Sequence, residues 1–291
     1  MANWKRKVFP YALVAPTILL FCTYIFYPAL SGFYYSFQKW DGIGKMKYIG
    51  LNNYVKLFAD QSFLSSLSRT AVYTIISIPL IFTFALLMAL VVNRAIRGVS
   101  FFRMAFYFPF MLSAVIIGFS WRFLLTEDFG LMGYLCELMG REPVRFLTDS
   151  NNAMATVIFI TVWSSCGYYM MMFVAGLKGI SPTYYEAAKI DGANAVQCFF
   201  RITFPLLQPT SLLVLVLSSI GVLKSYALVN SITGGGPGAA TKFLVQLIYE
   251  TAFRKNKMGY ASAMTTVLFL ILALLTVVQF KLNKGGEQDA D

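Results

Sequence analysis

The stretch "SPTYYEAAKIDGANAVQCFFRITFPLLQP", Ser181–Pro209, lies between two long apolar runs and carries Glu186, Lys189, Asp191 and Arg201. Charges at this density exclude it from a hydrocarbon core. Its local signals are those of two short helices. Ser181 suits an N-cap, with Pro182 at the first helical position, where no N–H is missed. "TYYEAAKI" continues that helix, and Gly192 suits a left-handed helix end. Asn194 starts a second helix, with Gln197 at the spacing of a capping box. "AVQCFFRI" is its body, and Pro205 and Pro209 close the unit and lead into the next apolar run. From these residues alone two readings stand. One is an amphipathic loop at the membrane interface. The other is a docking element, in which small Ala187 and Ala188 permit close approach and Glu186 offers a carboxylate to a cation.

The surrounding chain is apolar. Of 291 residues, 58% are hydrophobic and 13% charged, against about a quarter charged in a typical soluble globule. The mean hydropathy is +0.65. These values predict an all-α, polytopic membrane protein. Runs of about 20 apolar residues mark helical spans; six qualify, at about 9–36, 71–93, 101–125, 153–177, 207–231 and 261–282. The runs are continuous rather than alternating, which selects helices over a closed barrel. Neither an internal repeat nor a low-complexity linker interrupts residues 1–291, so one transmembrane domain is expected, with the charged segment 181–205 as a loop.

The net charge of +11 is the Lys and Arg that membrane proteins collect in loops and at span ends, and nucleic-acid binding is not expected. Lys5, Arg6 and Lys7 precede a run too long for a cleavable signal, so the first span is retained with the N-terminus in the cytoplasm. Six spans return the C-terminus there and place 181–205 on the same side. Arg94, Arg97 and Arg103 in the 94–103 turn agree with this orientation. Lys39, Lys45, Lys47, Lys56, Arg254, Lys255 and Lys257 fall in outer loops and run against it.

Several chemistries are excluded. The four cysteines show no CxxC pairing, and there is no histidine, so neither a disulfide framework nor a metal site is expected. "GGGPGAATK", Gly234–Lys242, is not a phosphate loop: Thr241 precedes the lysine and Phe243 follows it. No nucleotide, metal or other cofactor is expected. The six spans hold no Asp or Glu, which argues against a proton-driven carrier or an intramembrane hydrolase. The energy must come from elsewhere.

"EAAKIDGANAVQCFFRITFPLLQP", Glu186–Pro209, resembles the EAA loop of ABC importer permeases, with Glu, Ala and Ala, then Gly six residues after the Glu, then Ile and Pro. Phe204 stands where Leu is usual. "FYYSFQKWDG" (Phe33–Gly42) with "YIGLNNYVKLFAD" (Tyr48–Asp60) resembles the outer segment of the sugar-importer branch, and "TGGGPGAATKFLVQLIYETAF" (Thr233–Phe253) with "GYASAM" (Gly259–Met264) resembles its last outer loop. The GGGP element is similar to that of the maltose importer's larger permease subunit. The resemblance implies a permease, not an enzyme, in a bacterial cytoplasmic membrane. It implies alternating access, a second homologous permease, an ABC ATPase dimer and an extracytoplasmic sugar-binding protein. It places ATPase coupling on Glu186, Ala187, Ala188, Asp191 and Gly192.

An oligosaccharide is the expected substrate. A phosphorylated polyol such as glycerol phosphate is the alternative, and a non-ABC channel or scaffold the remaining one. Taking about 100° per residue, Ser218, Ser219, Ser225, Tyr226 and Asn230 share one arc of the fifth span, and Thr161, Ser164 and Tyr168 share one on the fourth. Ser164, Tyr168, Ser219, Ser225, Tyr226 and Asn230 are therefore the expected sugar path; interhelical packing by small hydroxylated residues is the competing reading. Lys224 is read as snorkelling to the outer interface rather than binding an anion. Ala227 stands where the family commonly has Asp.

Overall fold

The computed structural model describes residues 2–93 and 98–287. Arg94 and Arg97, used above for orientation, lie outside the described residues, as do the side chains of Lys5, Arg6 and Lys7. The chain is helical almost throughout. In order it forms α1 (Ala2–Phe21), a π-helical turn at Cys22–Phe26, α2 (Tyr27–Tyr35), the short strands β1 (Gln38–Lys39) and β2 (Lys47–Tyr48), α3 (Asn52–Ala59) and α4 (Gln61–Val92). Next come α5 (Val99–Met111), α6 (Ala114–Leu125), α7 (Leu131–Leu138), α8 (Ser150–Lys178), α9 (Pro182–Ile190) and α10 (Ala195–Cys198). A second π turn at Phe199–Thr203 leads into α11 (Phe204–Leu206), α12 (Gln208–Leu223), α13 (Ala227–Thr233) and α14 (Leu244–Tyr249). A third, at Glu250–Arg254, precedes α15 (Met258–Glu287).

Among the described residues, four helices are long and apolar enough to cross a membrane: Leu13–Tyr35, Gln61–Val92, Ser150–Lys178 and Met258–Asn283. Two bent pairs qualify jointly, Val99–Met111 with Ala114–Leu125 at 96° and Ala195–Leu206 with Gln208–Leu223 at 66°. Four to six spans are thus available. The apolar run at 101–125 is not one straight helix, because Leu112 and Ser113 take extended backbone (ψ 150° and 135°) just after Pro109. Pro79, by contrast, is carried inside α4.

The described residues divide into two compact units. One holds those up to Leu64 together with Leu247–Leu270, the other Ser65–Gln246 with those from Ile271 on. In the first, β1 and β2 pair antiparallel, with Gln38 opposite Tyr48. Buried Asn53 on α3 holds this end together: its Nδ2 donates to the carbonyls of Ser36 (2.8 Å) and Gln38 (2.9 Å). Tyr54 donates to the Ser36 hydroxyl. Asp60 accepts from the Ser62 backbone N–H at 2.8 Å, capping α4, and from the Tyr260 hydroxyl at 2.9 Å.

In the second unit α8 runs through the core, burying Val157, Ile160, Met170 and Phe173 in a cluster with Tyr73, Ile81 and Ala85 of α4, Val214 of α12 and Ile232 of α13. Asp149 caps α8 by accepting from the backbone of Asn151 and Asn152, both at 3.0 Å. α5 crosses α8 at Gly167, where any Cβ would overlap the Phe106 carbonyl. This is the small-residue contact by which membrane helices approach closely when no hydrophobic force drives them together.

Asn53→Ala leaves two buried carbonyls without their donor, at about 1–3 kcal/mol each. The variant, purified in detergent, is expected to melt several degrees below the parent by thermal unfolding, whereas Asn52→Ala, on the exposed side of α3, is expected to melt with it.

Candidate functional site: a coupling surface and a polar cavity

Two places are candidates for functional chemistry, both within the second unit. The first is the helix pair of the opening stretch. Ser181 caps α9, its Oγ accepting from the Thr183 N–H, with Pro182 in the first turn. α9 ends in a Schellman arrangement: the Gly192 N–H donates to Lys189 O at 3.2 Å and the Ala193 N–H to Ala188 O at 2.9 Å. Gly192 takes φ +75°, a backbone that side-chain-bearing residues adopt only at a penalty. Asn194 and Gln197 form a reciprocal capping box, both bonds 2.9 Å. Tyr185 Oη lies 2.9 Å from Thr203 Oγ1, tying α9 to the π turn that follows α10. The second predicted helix, 195–202, is therefore one turn of α10 running into a π turn rather than a regular α-helix.

The backbone of this pair is satisfied locally, but its side chains are not covered. Ile190 is 86% exposed, and Tyr184, Val196 and Phe200 are also exposed. Such a patch marks a surface suited to contact with a protein or with the membrane interface. Glu186, Ala187, Asp191 and Gly192 lie on the exposed side. Ala188 does not: it is buried against its own chain, because successive helical residues point about 100° apart. Of the two alanines, only Ala187 is free to meet a partner. Beside Glu186 lies a cavity of about 480 Å³, also lined by Asn93, Leu177, Lys178, Tyr185 and Lys189.

The second place is a cavity of about 330 Å³ within the apolar part of the unit. Two helix breaks border it. Pro109, Phe110, Leu112 and Ala114 come from the α5–α6 break, and Lys224, Ser225, Tyr226 and Ala227 from the α12–α13 break. α8 supplies the third wall through Thr161, Ser164, Ser165 and Tyr169. Thr161 Oγ1 lies 2.9 Å from the Tyr73 hydroxyl, whose ring stacks on Phe243 at 4.4 Å. The cavity thus offers hydroxyls, phenols and one ammonium group, and no carboxylate.

The expected path residues part company here. Ser164, Ser225 and Tyr226 line the cavity. Tyr168 stacks on Phe110 with ring centroids 4.3 Å apart, while its neighbour Tyr169 reaches the cavity. Ser219 is fully buried, donating to Leu215 O at 2.7 Å and accepting from Gln279 Nε2 at 2.8 Å. Ser218 is likewise turned into the packing, donating to Leu215 O. Asn230 sits on α13 away from the lining. On the fifth span the angular reading fails beyond Leu223 because 207–231 is not one helix. α12 stops at Leu223, Lys224 is its C-cap (φ −92°, ψ 2°), and α13 begins at Ala227, so angles counted through 224–226 do not hold. Ser165, Tyr169 and Lys224 were missed as lining residues; the signal for Lys224 was its place at a helix end, not its depth.

A multi-pass helical chain with a charged, capped helix pair facing outward and a polar cavity between broken helices has the architecture of a transport permease. The chain belongs to the family of binding-protein-dependent transport system inner membrane components, whose pattern matches residues 57–285. It is 34% identical over 283 residues to the sn-glycerol-3-phosphate transport system permease protein UgpA of Brucella abortus, covering 96% of each chain. It is 32% identical over 286 residues to the probable starch degradation products transport system permease protein AmyD of Thermoanaerobacterium thermosulfurigenes, covering 98% of this chain and 97% of the relative. The fold is shared with a chain of the crystal structure of a bacterial alginate ABC transporter in complex with an alginate pentasaccharide-bound periplasmic protein (TM-score 0.84, 22% identity, 96% and 94% covered). It is a membrane permease subunit of an ABC importer, working with a binding protein and with an ATPase that hydrolyses the ATP.

The capping box predicts a local outcome. Asn194→Ala removes the N-cap acceptor, a loss of about 1 kcal/mol. Amide exchange across α10 and the following π turn is expected to speed up about fivefold, while exchange in α8 stays unchanged.

Proposed function

We propose that this permease imports oligosaccharides, as one transmembrane domain in a heterodimer with a second, homologous permease. An ABC ATPase dimer docks on 181–205 from the cytoplasm, where both termini also lie, and an extracytoplasmic sugar-binding protein delivers the substrate. The observation that carries this reading is the helix pair 181–205. Its hydrogen bonds close within itself, so what it offers outward is Glu186, Ala187 and an uncovered apolar patch. A rigid element of this kind transmits motion. When the ATPase subunits close on ATP, the pair moves with them and the spans open outward to the loaded binding protein; hydrolysis returns the cavity inward.

Gly192 and Asp191 hold the turn between the helices, and Glu186 meets a cation on the ATPase. Ser164, Ser225 and Tyr226 contact the sugar at the cavity, with Tyr168, Ser219 and Asn230 behind them. Hydroxyls match sugar hydroxyls, and a phenol ring covers a pyranose face. The second reading, a phosphorylated polyol, is favoured by Lys224 at the cavity wall, where an ammonium group meets a phosphate. The glycerol-phosphate relative supports that reading, and the starch-product relative supports the first.

Two experiments test this. In the reconstituted transporter, Glu186→Lys or Gly192→Pro is expected to leave the complex inserted and to abolish substrate-stimulated ATP hydrolysis; normal stimulation in the double variant refutes the docking role. For the substrate, uptake of a panel of oligosaccharides and of glycerol phosphate is compared in parent, Tyr226→Ala, Asn230→Ala and Lys224→Gln. Oligosaccharide uptake is expected to fall at least tenfold in Tyr226→Ala, to fall less in Asn230→Ala, and to survive Lys224→Gln, with basal ATPase intact throughout. Loss of uptake confined to Lys224→Gln selects the anionic substrate instead.

A further inference from the structure

The first unit contains a cleft of about 880 Å³ that the transport reading leaves unused. Lys39, Lys45, Lys47, Lys56 and Lys257 line it, together with Asp41 and Asp60. Five cations less two anions leave the lining at +3. The acids do not pair with the lysines. Asp41 Oδ1 accepts from the backbone N–H groups of Gly44 (2.8 Å) and Ile43 (3.0 Å), which hold its carboxyl below the usual range. Asp60 is engaged by the Tyr260 hydroxyl and the Ser62 N–H. Burial alone would raise its pKa, but these donors and the nearby Lys255 charge bring it below the usual value. Five lysines thus share one cleft with two carboxylates engaged elsewhere, and the excess positive charge is self-repelling unless an anion enters.

α3 borders this cleft through Asn52 and Lys56. Leu51, Val55 and Phe58 fall within about 60° on one side of that helix, and all three are exposed. Lys56 lies about 100° round from Val55, while Asn53 and Leu57 are buried on the far side. An apolar stripe flanked by a lysine, on a short helix just before a span, is the pattern of an element lying in the headgroup layer. On the topology proposed above this end faces outward, where positive loops are not expected, so the lysines there need a local cause. An acidic protein surface would satisfy the charges but would leave the stripe uncovered.

We propose that this cleft is a binding site for the phosphate of an anionic phospholipid, with the lysine ammonium groups on the headgroup and Leu51, Val55 and Phe58 among the acyl chains. Lysine suits the role: flexible stems bring point charges to a phosphate without a fixed fork geometry. The headgroup fixes α3 against the start of α4, the place where Asp60 and Tyr260 already join the ends of two spans.

The test uses the full-length protein in mild detergent, titrated with phosphatidylglycerol or phosphatidylcholine of matched acyl chains and read by native mass spectrometry. The parent is expected to retain phosphatidylglycerol preferentially. Lys45→Gln with Lys47→Gln and Lys56→Gln is expected to lower that affinity about fivefold for each lysine removed, with phosphatidylcholine unaffected. Lys257→Gln alone, a milder change, is expected to lower it about fivefold. Equal phosphatidylglycerol retention in parent and variants overturns the proposal. Loss of binding-protein affinity with lipid retention unchanged makes the cleft a protein dock, and likewise overturns it. Lysine-dependent binding of inorganic phosphate without any effect on lipid assigns the cleft to a free anion instead. None of these readings involves the transported sugar, so they stand apart from the substrate tests.

Discussion

In hydrocarbon every backbone N–H and C=O must find a partner within the protein or in water enclosed by it. This chain meets it with continuous helices along α4 and α8, whereas at Leu112–Ser113 and Lys224–Tyr226 the helix is interrupted and turn bonds such as Leu112 N–H to Pro109 O and Ser225 N–H to Val222 O take over. Both interruptions border the same cavity. Interrupted helices are tolerated at membrane depth where they line such a space, and there they turn carbonyls and side chains toward it. The polar lining follows from the breaks: an unbroken α12 would have directed Ser225 and Tyr226 elsewhere. The position of α8 depends in turn on the close crossing at Gly167, which sets how near α5, and hence its broken end, lies to Thr161, Ser164 and Tyr169.

The helix pair 181–205 solves the opposite problem. It lies outside the apolar spans, where water could satisfy its backbone, yet it closes its own hydrogen bonds through a cap, a Schellman turn and a capping box. Water-exposed segments this short are ordinarily marginal as helices. Local closure makes this one a defined shape, and the exposed Tyr184, Ile190, Val196 and Phe200 make it an adhesive one. Shape and exposed apolar area together suit a surface on which one protein moves another.

The two functional places draw on different physics. The cavity is a matter of helix interruption and close packing, sensitive to volume. The helix pair is a matter of capping and backbone conformation, sensitive to a single glycine. A change at one is therefore expected to leave the local structure of the other intact.

The sequence by itself determined whatever depends on near neighbours in the chain. Ser181, Gly192, Asn194 and Gln197 specified the helix pair because caps and left-handed turns are formed by residues within five positions of one another. The apolar runs specified helices because lipid allows little else. The tertiary structure alone decided which side chains face what. Tyr168 and Tyr169 are adjacent and chemically alike, and only the packing of α5 against α8 turns the first onto Phe110 and the second into the cavity. Ser219 looked like a path residue until Gln279, sixty positions away, proved to be its partner. Lys224 was placed on a continuous helix, but the helix ends there and the residue borders the cavity. Helical angles carry information only as far as the helix continues, and where it stops is set by contacts that the local pattern does not contain.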